Sequence, residues 1–346
     1  MTARRIRPAG CRVALVVLLA GTAIVIAAPM AGADSGRPTN YSSTITSIDP
    51  HPAGVTIDIV ANDAFVEVTA ERGTSVDIPG YEGEPYLRIR PDGTVQENRR
   101  ATSYFLNQTM TGTDAGPAGV DPDSPPDWTT VGSDGTVSWH DHRTHWMGGD
   151  PPALGPDGLV QEWSLPLTVD GAEVTVNGTL SFVDDVFPWG VVVAIAVAVG
   201  VWFASRHDTT RRGLVAPVVT GLAAIVALGL WLAERSVAPP DAQPTMIPLI
   251  LALAALAAAV VSLVRPAWRM TALLAAVALL AGWAVVRLTV WWKPLLPTAV
   301  PDWVDRGGTA LVVGVGFGVA VSLLQRPAGT DPSVDAPGVA TSPEPA

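Results

Sequence analysis

The side chains best able to do chemistry are concentrated in one stretch, Trp139-His140-Asp141-His142-Arg143-Thr144-His145-Trp146-Met147. Three of the chain's five histidines fall in it. On an extended strand His140 and His142 project from one face, about 7 Å apart. Two imidazoles so placed can converge on one ion with bonds of about 2.0–2.1 Å. His145 has the wrong parity and joins them only if the chain turns at Arg143-Thr144. Asp141 can act as a supporting partner only after the same distortion. His51 is a distant fourth candidate, and Met147 offers a soft ligand. A thiolate-free imidazole set suits Cu or Zn as divalent ions. The same residues support a second reading. Trp139 shares parity with Asp141 and Arg143, and a strand tryptophan usually faces the core. His140 and His142 then face solvent, or enter an Asp–His–Arg hydrogen-bond network that needs no metal.

Other constellations are weaker. Asp121, Asp123 and Asp127 suggest calcium, but the loop lacks the glycine and the final glutamate of a helix–loop–helix site and reads as a solvated acidic loop. No Gly-x-Ser-x-Gly elbow occurs, and Ser138 has no defined base. The run Glu97-Asn98-Arg99-Arg100, with Tyr104 and Asn107 after it, either lines a site or staples a loop. Asn40, Asn107 and Asn177 begin glycosylation sequons, which matter only in a glycosylating pathway. The lone Cys11 excludes a disulfide framework and a cysteine metal site.

The elements around the cluster read as strands. Val55–Ile59 and Phe65–Val68 alternate or nearly so, and Tyr86–Arg90 leads through Pro91-Asp92-Gly93 into a returning strand. Asp134-Gly135 and Asp170-Gly171 repeat the Asp-Gly hairpin signal. No helical stripe precedes Val186, and seven to nine short strands imply an all-β antiparallel sandwich, immunoglobulin-like in the loose sense. Gly112–Asp127 reads as a long surface loop. Residues 34–185 carry 24 Asp plus Glu against 7 Arg. That acidity repels polyanions and anionic lipid, and attracts cations or basic partners.

The whole chain has 346 residues, 48% hydrophobic and only 15% charged. That is well under the ~25% charged residues of a soluble domain, which argues against an ordinary cytosolic enzyme. A nucleic-acid binder with a broad basic face is equally hard to build from it. Residues 1–33 have the form of a secretory signal peptide. Arg4, Arg5, Arg7 and Arg12 precede the apolar run Val13–Ala27, and Ala31-Gly32-Ala33 follows. Five segments are apolar all round: Val186–Ala204, Gly213–Ala233, Met246–Val264, Met270–Val286 and Gly308–Leu324. At ~1.5 Å per residue they are about 25–32 Å long, the thickness of a bilayer's hydrocarbon core. Arg206, Arg211, Arg212, Arg265, Arg269 and Arg326 fall in alternate connections. The others hold Arg235, Lys293 and Arg306, with Arg287 near a span end. That bias puts the N-terminal domain outside. Trp189, Trp292 and Trp303 sit near the outer boundaries, where indole rings prefer to lie. No Asp, Glu, His or Lys lies in any span as drawn, and Arg287 can snorkel to the interface, so an anchor is favoured over a transporter. Gly314-Val315-Gly316-Phe317-Gly318 reads as a helix-packing step. The tail, 327–346, reads as disordered.

Glu84-Pro85-Tyr86-Leu87-Arg88, Glu97-Asn98-Arg99-Arg100, and Trp139 to Met147 followed by Trp163 together resemble a set of exported actinobacterial-type multi-span membrane proteins. The resemblance covers roughly Gly54 to Trp189 and implies architecture, not an activity. In layout alone the chain is also similar to copper-resistance fusions of a periplasmic copper-binding sandwich with a membrane domain. It departs from them in having no histidine at the mature N-terminus, fewer spans, and spans without metal-carrying residues.

The resulting expectation is a signal peptide (1–33), an extracytoplasmic β-sandwich (34–185), a five-span all-α bundle in the plasma membrane (186–326) and a cytoplasmic tail (327–346). The functional expectation is a non-enzymatic envelope protein binding Cu or Zn through His140, His142 and His145. Two alternatives stay open: a structural or partner-docking envelope protein with a metal-free network, and an envelope enzyme.

Overall fold

The computed structural model describes residues 36–108, 123–148, 152–208, 213–238 and 245–325. The expected signal peptide (1–33), residues 109–122 (with Asp121), Arg211, Arg212, Arg326 and the expected tail (327–346) lie outside the described residues.

Ten strands precede the long helices: β1 (Tyr41–Asp49), β2 (Val55–Val60), β3 (Phe65–Ala70), β4 (Val76–Pro79), β5 (Pro85–Ile89), β6 (Val95–Asn98), β7 (Trp128–Gly132), β8 (Thr136–Trp139), β9 (Leu159–Val169) and β10 (Ala172–Phe182). They form two antiparallel sheets, one ordered β1-β10-β9-β4-β5-β6-β7 and the other β2-β3-β8. Alternation along the strands supplies one shared core. Val66, Val68, Val137 and Trp139 come from the small sheet, and Val76, Ile78, Ile89, Leu165, Leu167, Val176 and Leu180 from the large one. Burying a side chain of this size is worth about 1.5–3 kcal/mol, so this layer dominates the domain's stability.

Two Asp-Gly signals act as expected. Asp170 and Gly171 both take positive φ and join β9 to β10 with Ala172 opposite Val169. Asp92-Gly93 joins the paired strands β5 and β6. Asp134-Gly135 differs. It connects β7 to β8, which belong to different sheets, so this turn carries the chain across the sandwich. A dipeptide fixes the local turn and not the partner of the strand that follows. A five-residue helix, α1 (Thr102–Leu106), also interrupts the strand region.

Among the described residues, five helices long and apolar enough to cross a membrane follow: α2 (Trp189–Arg206), α3 (Val215–Arg235), α4 (Met246–Val264), α5 (Arg269–Val286) and α6 (Asp302–Leu324). Helix α6 packs against α2, α3 and α5, and its glycines permit this. A Cβ on Gly314 would lie 2.6 Å from Ala194 O, and one on Gly318 2.5 Å from Ala198 O. The small-residue step is therefore a packing device, as expected. Alanines 223, 224, 227, 252, 255, 259 and 276 are fully buried between helices, while Val192, Ile195, Leu222, Ile225, Ile250 and Phe317 face outward.

The span bounds require a correction. Helix α6 begins at Asp302, six residues before the expected Gly308, and α3 continues through Glu234 and Arg235. Asp302, Asp305 and Glu234 therefore sit on bundle helices. Arg287 does not snorkel. It is 4% exposed and paired with Asp305 and Glu234. Hydropathy windows stop at the first charge, whereas helices continue when charges are paired by their neighbours.

The sandwich is seated on the α5–α6 connection. Thr39 bridges Leu295, Val186 N donates to Trp292 O at 2.8 Å, and Lys293 Nζ donates to Asn40 Oδ1. Asn40 is buried and also donates to Val183 O and Asp185 Oδ1, so its sequon serves the fold.

Candidate metal centre

Strand β8 ends at Trp139, which lies opposite Val66 of β3 and points into the core. The chain then turns on Asp141. Its backbone oxygen accepts from Thr144 N at 3.0 Å and from Thr144 Oγ1 at 2.9 Å. Its carboxylate takes four donors: Trp139 Nε1 at 2.8 Å, Arg143 N at 2.9 Å, Arg143 Nε at 2.8 Å and Arg143 Nη2 at 2.7 Å. Asp141 is wholly buried. Burial pushes its carboxyl up, but these donors, Arg143 above all, hold it below its ordinary range. The bidentate pair fixes the turn that the sequence left conditional.

This turn brings the three imidazoles together. Ligand atoms of His140, His142 and His145 lie within 4.8 Å of one another. Ring centroids are 4.0 Å apart for His140 and His145, 5.2 Å for His142 and His145, and 5.5 Å for His140 and His142. His140 Nδ1 donates to Ala64 O at 2.5 Å, and His145 Nδ1 donates to Asp141 O at 3.0 Å. A carbonyl oxygen only accepts, so each Nδ1 carries a proton. The two Nε2 atoms then face one another at 3.1 Å. His140 is 3% exposed and His145 2% exposed. Burial first, and the neighbouring His145 second, push the His140 pKa down to about 3, so this ring is neutral at ordinary pH.

His142 is half-buried and stacks on Tyr81, with ring centroids 5.7 Å apart and an interplanar angle of 20°. Tyr81 OH accepts from His142 N at 2.9 Å and donates to Asn107 Oδ1. The guanidinium of Arg143 lies 5.0 Å from the Tyr81 ring centre. Tyr81 is held in turn by the β4–β5 loop. Its backbone N donates to Ser103 Oγ, and buried Glu84 accepts from Ser103 N, Ser103 Oγ and Glu82 N.

His145 thus joins His140 and His142, as the conditional turn required. Parity fails beyond Trp139, because Trp139 and His140 are both buried once the strand has ended. Asp141 supports the cluster through its backbone oxygen, with its carboxylate engaged by Arg143. His51 is exposed and outside the cluster, and Met147 is 40% exposed and not among its ligand atoms. The Glu97–Arg100 run staples a loop: Asn98 donates to Pro85 O and accepts from Arg100 N and Asp127 N. Asn107 reaches the site, but through Tyr81. The sequence reading missed Tyr81 and the Ala64 carbonyl. The latter is presented by a β2–β3 turn in which Ala61 and Asn62 take positive φ, a conformation that no glycine there announces.

Set beside protein-family models, curated proteins and solved structures, the chain matches none of them.

Proposed function

We propose that this protein is an extracytoplasmic, membrane-anchored metal-binding protein of the cell envelope, taking Cu(II) or Zn(II) through His140, His142 and His145. The supporting observation is the pair of Nε2 atoms 3.1 Å apart, each on a ring whose Nδ1 donates to a backbone carbonyl. In two neutral rings both Nε2 atoms are lone pairs, and lone pairs facing each other at that distance repel unless a cation lies between them. With bonds of about 2.0–2.1 Å to one ion, a 3.1 Å separation subtends about 100°, near the angles of tetrahedral and tetragonal centres. Imidazoles that donate Nδ1–H to a carbonyl are oriented as metal ligands usually are. His142, the ring with solvent on one side, has room to complete the set.

The metal-free alternative needs His145 to be a buried imidazolium donating Nε2–H to His140, with the Asp141 carboxylate already turned to Arg143. The deciding experiment is calorimetric titration of the metal-free full chain in detergent with Zn(II) and with Cu(II). We expect about one equivalent per chain, and loss of uptake in His140→Gln and in His145→Gln. A dissociation constant weaker than roughly 10 μM, or uptake unchanged in both variants, refutes the metal reading.

The outward orientation of the sandwich rests on the arginine bias. In the sequence Arg206, Arg211, Arg212, Arg265, Arg269 and Arg326 belong to the connections away from the sandwich, against Arg235, Lys293 and Arg306 on its side, with Arg287 near a span end. The larger number of basic residues is therefore on the side away from the sandwich, the cytoplasmic side by the usual rule. Protease treatment of intact cells should degrade the sandwich, and protection in cells with cleavage in inverted vesicles reverses the assignment. Its acidic composition fits basic envelope partners.

A further inference from the structure

The sandwich end of the helical bundle holds a charged cluster independent of the histidines. Arg287 closes α5. Its Nη2 lies 2.5 Å from Asp305 Oδ1, and its Nη1 lies 2.7 Å from Glu234 Oε1. Arg287 and Asp305 side chains are 3% and 1% exposed, and that of Glu234 is 27% exposed. Thr309 Oγ1 adds a contact to Asp305 Oδ1, and the Trp283 ring lies 5.2 Å from the guanidinium. Asp305 Oδ2, Arg287 Nε and Trp283 Nε1 are buried without hydrogen-bond partners, and Arg287 Nη1 meets Glu234 as an ion pair only.

Among the described residues, the other cations at this end are already committed. Arg306 donates to Val290 O, Lys293 O and Pro294 O and faces Asp302 at 3.8 Å. Arg235 donates to Ala238 O. Helices α2 and α4 bring no titratable side chain to this end. One guanidinium therefore serves two carboxylates. With both ionised the triad holds a net negative charge between apolar helices, which is costly, and a single proton removes it. Asp305 has the shorter arginine contact and a side chain only 1% exposed. Glu234 lies in the last turn of α3 with its side chain 27% exposed.

We propose that Glu234, Arg287 and Asp305 form a proton-binding site open to the aqueous face. The exchangeable proton adds to a carboxylate oxygen of Glu234 and leaves to water, while Asp305 stays ionised against Arg287. Ionisable groups placed within a bundle in this way are the usual elements of proton-responsive membrane sites. The site does not depend on the histidines holding a metal.

The test is infrared difference spectroscopy of the metal-free full chain in nanodiscs between about pH 5 and pH 9, the range in which buried carboxyls titrate. An Asp63→Asn, Asp302→Asn background removes the sandwich carboxyl that burial raises to about 7 and the acid that faces Arg306 at 3.8 Å. We expect a protonated-carboxyl carbonyl band that grows as pH falls and is lost in Glu234→Gln. Glutamine reproduces the neutral side chain, and the amide bands of the same spectra report whether the helices are intact. Absence of a titrating band, its persistence in Glu234→Gln, or its loss in Asp305→Asn but not in Glu234→Gln overturns the assignment.

Discussion

Replacing Arg143 by Met tests whether the Asp141 turn organises the cluster. Asp141 has no exposed side-chain surface and Arg143 keeps 22%, so the variant leaves a buried carboxylate without its only cationic partner. Breaking such a pair costs about 3–5 kcal/mol when nothing replaces the lost partner. Two donors remain, Trp139 Nε1 and the backbone N of residue 143, and water reaches the arginine side. The expected loss is therefore the lower figure, about 3 kcal/mol. Native-state hydrogen exchange on the full chain reads it locally, at the β8 amides that pair with β3. At about 1.4 kcal/mol per factor of ten, exchange there should speed up by roughly two orders of magnitude. The paired variant Asp141→Asn, Arg143→Met should recover a large part of this, because the stranded charge is gone. Exchange altered less than about threefold by Arg143→Met, or a paired variant as damaged as the two single losses added together, refutes the reasoning.

Tyr81→Phe removes the acceptor of His142 N and the donor to Asn107, and should cost about 1 kcal/mol together with a several-fold loss of metal affinity by calorimetry. Asp63 is buried, and burial raises its carboxyl to about 7 from 3.8. A raised folded-state value means that the native state binds the extra proton, so this group's contribution to stability grows as pH falls from about 7 to about 3.8 and is lost as pH rises through about 7. Melting curves of the wild type and Asp63→Asn, compared across that range, should diverge by up to ~1.4 kcal/mol per pH unit, and parallel curves count against a buried acid. Gly318→Leu should separate α2 from α6, because its side chain meets Ala198 O and the Val201 side chain, and cysteine cross-linking between those helices should fall sharply.

The sequence by itself determined the two architectures and their order. Period-two alternation from Val55 to Phe182 and unbroken apolar runs after Val186 are properties of residue type, because burial on one sheet face or in lipid demands them. The histidine cluster was legible as a composition, and Asp92-Gly93 and Asp170-Gly171 as turns, since their chemistry is local. Three matters were decided only in the folded chain. The turn that adds His145 depends on a bidentate ion pair, and ion pairing is a matter of distance in space. The Ala64 carbonyl that fixes the His140 tautomer is a backbone atom, and it carries no side-chain signature. Glu234 and Arg287 are 53 positions apart in sequence and meet Asp305 because α3, α5 and α6 end together. A hydropathy profile scores each charge alone, and pairing is what lets these charges stay in the bundle.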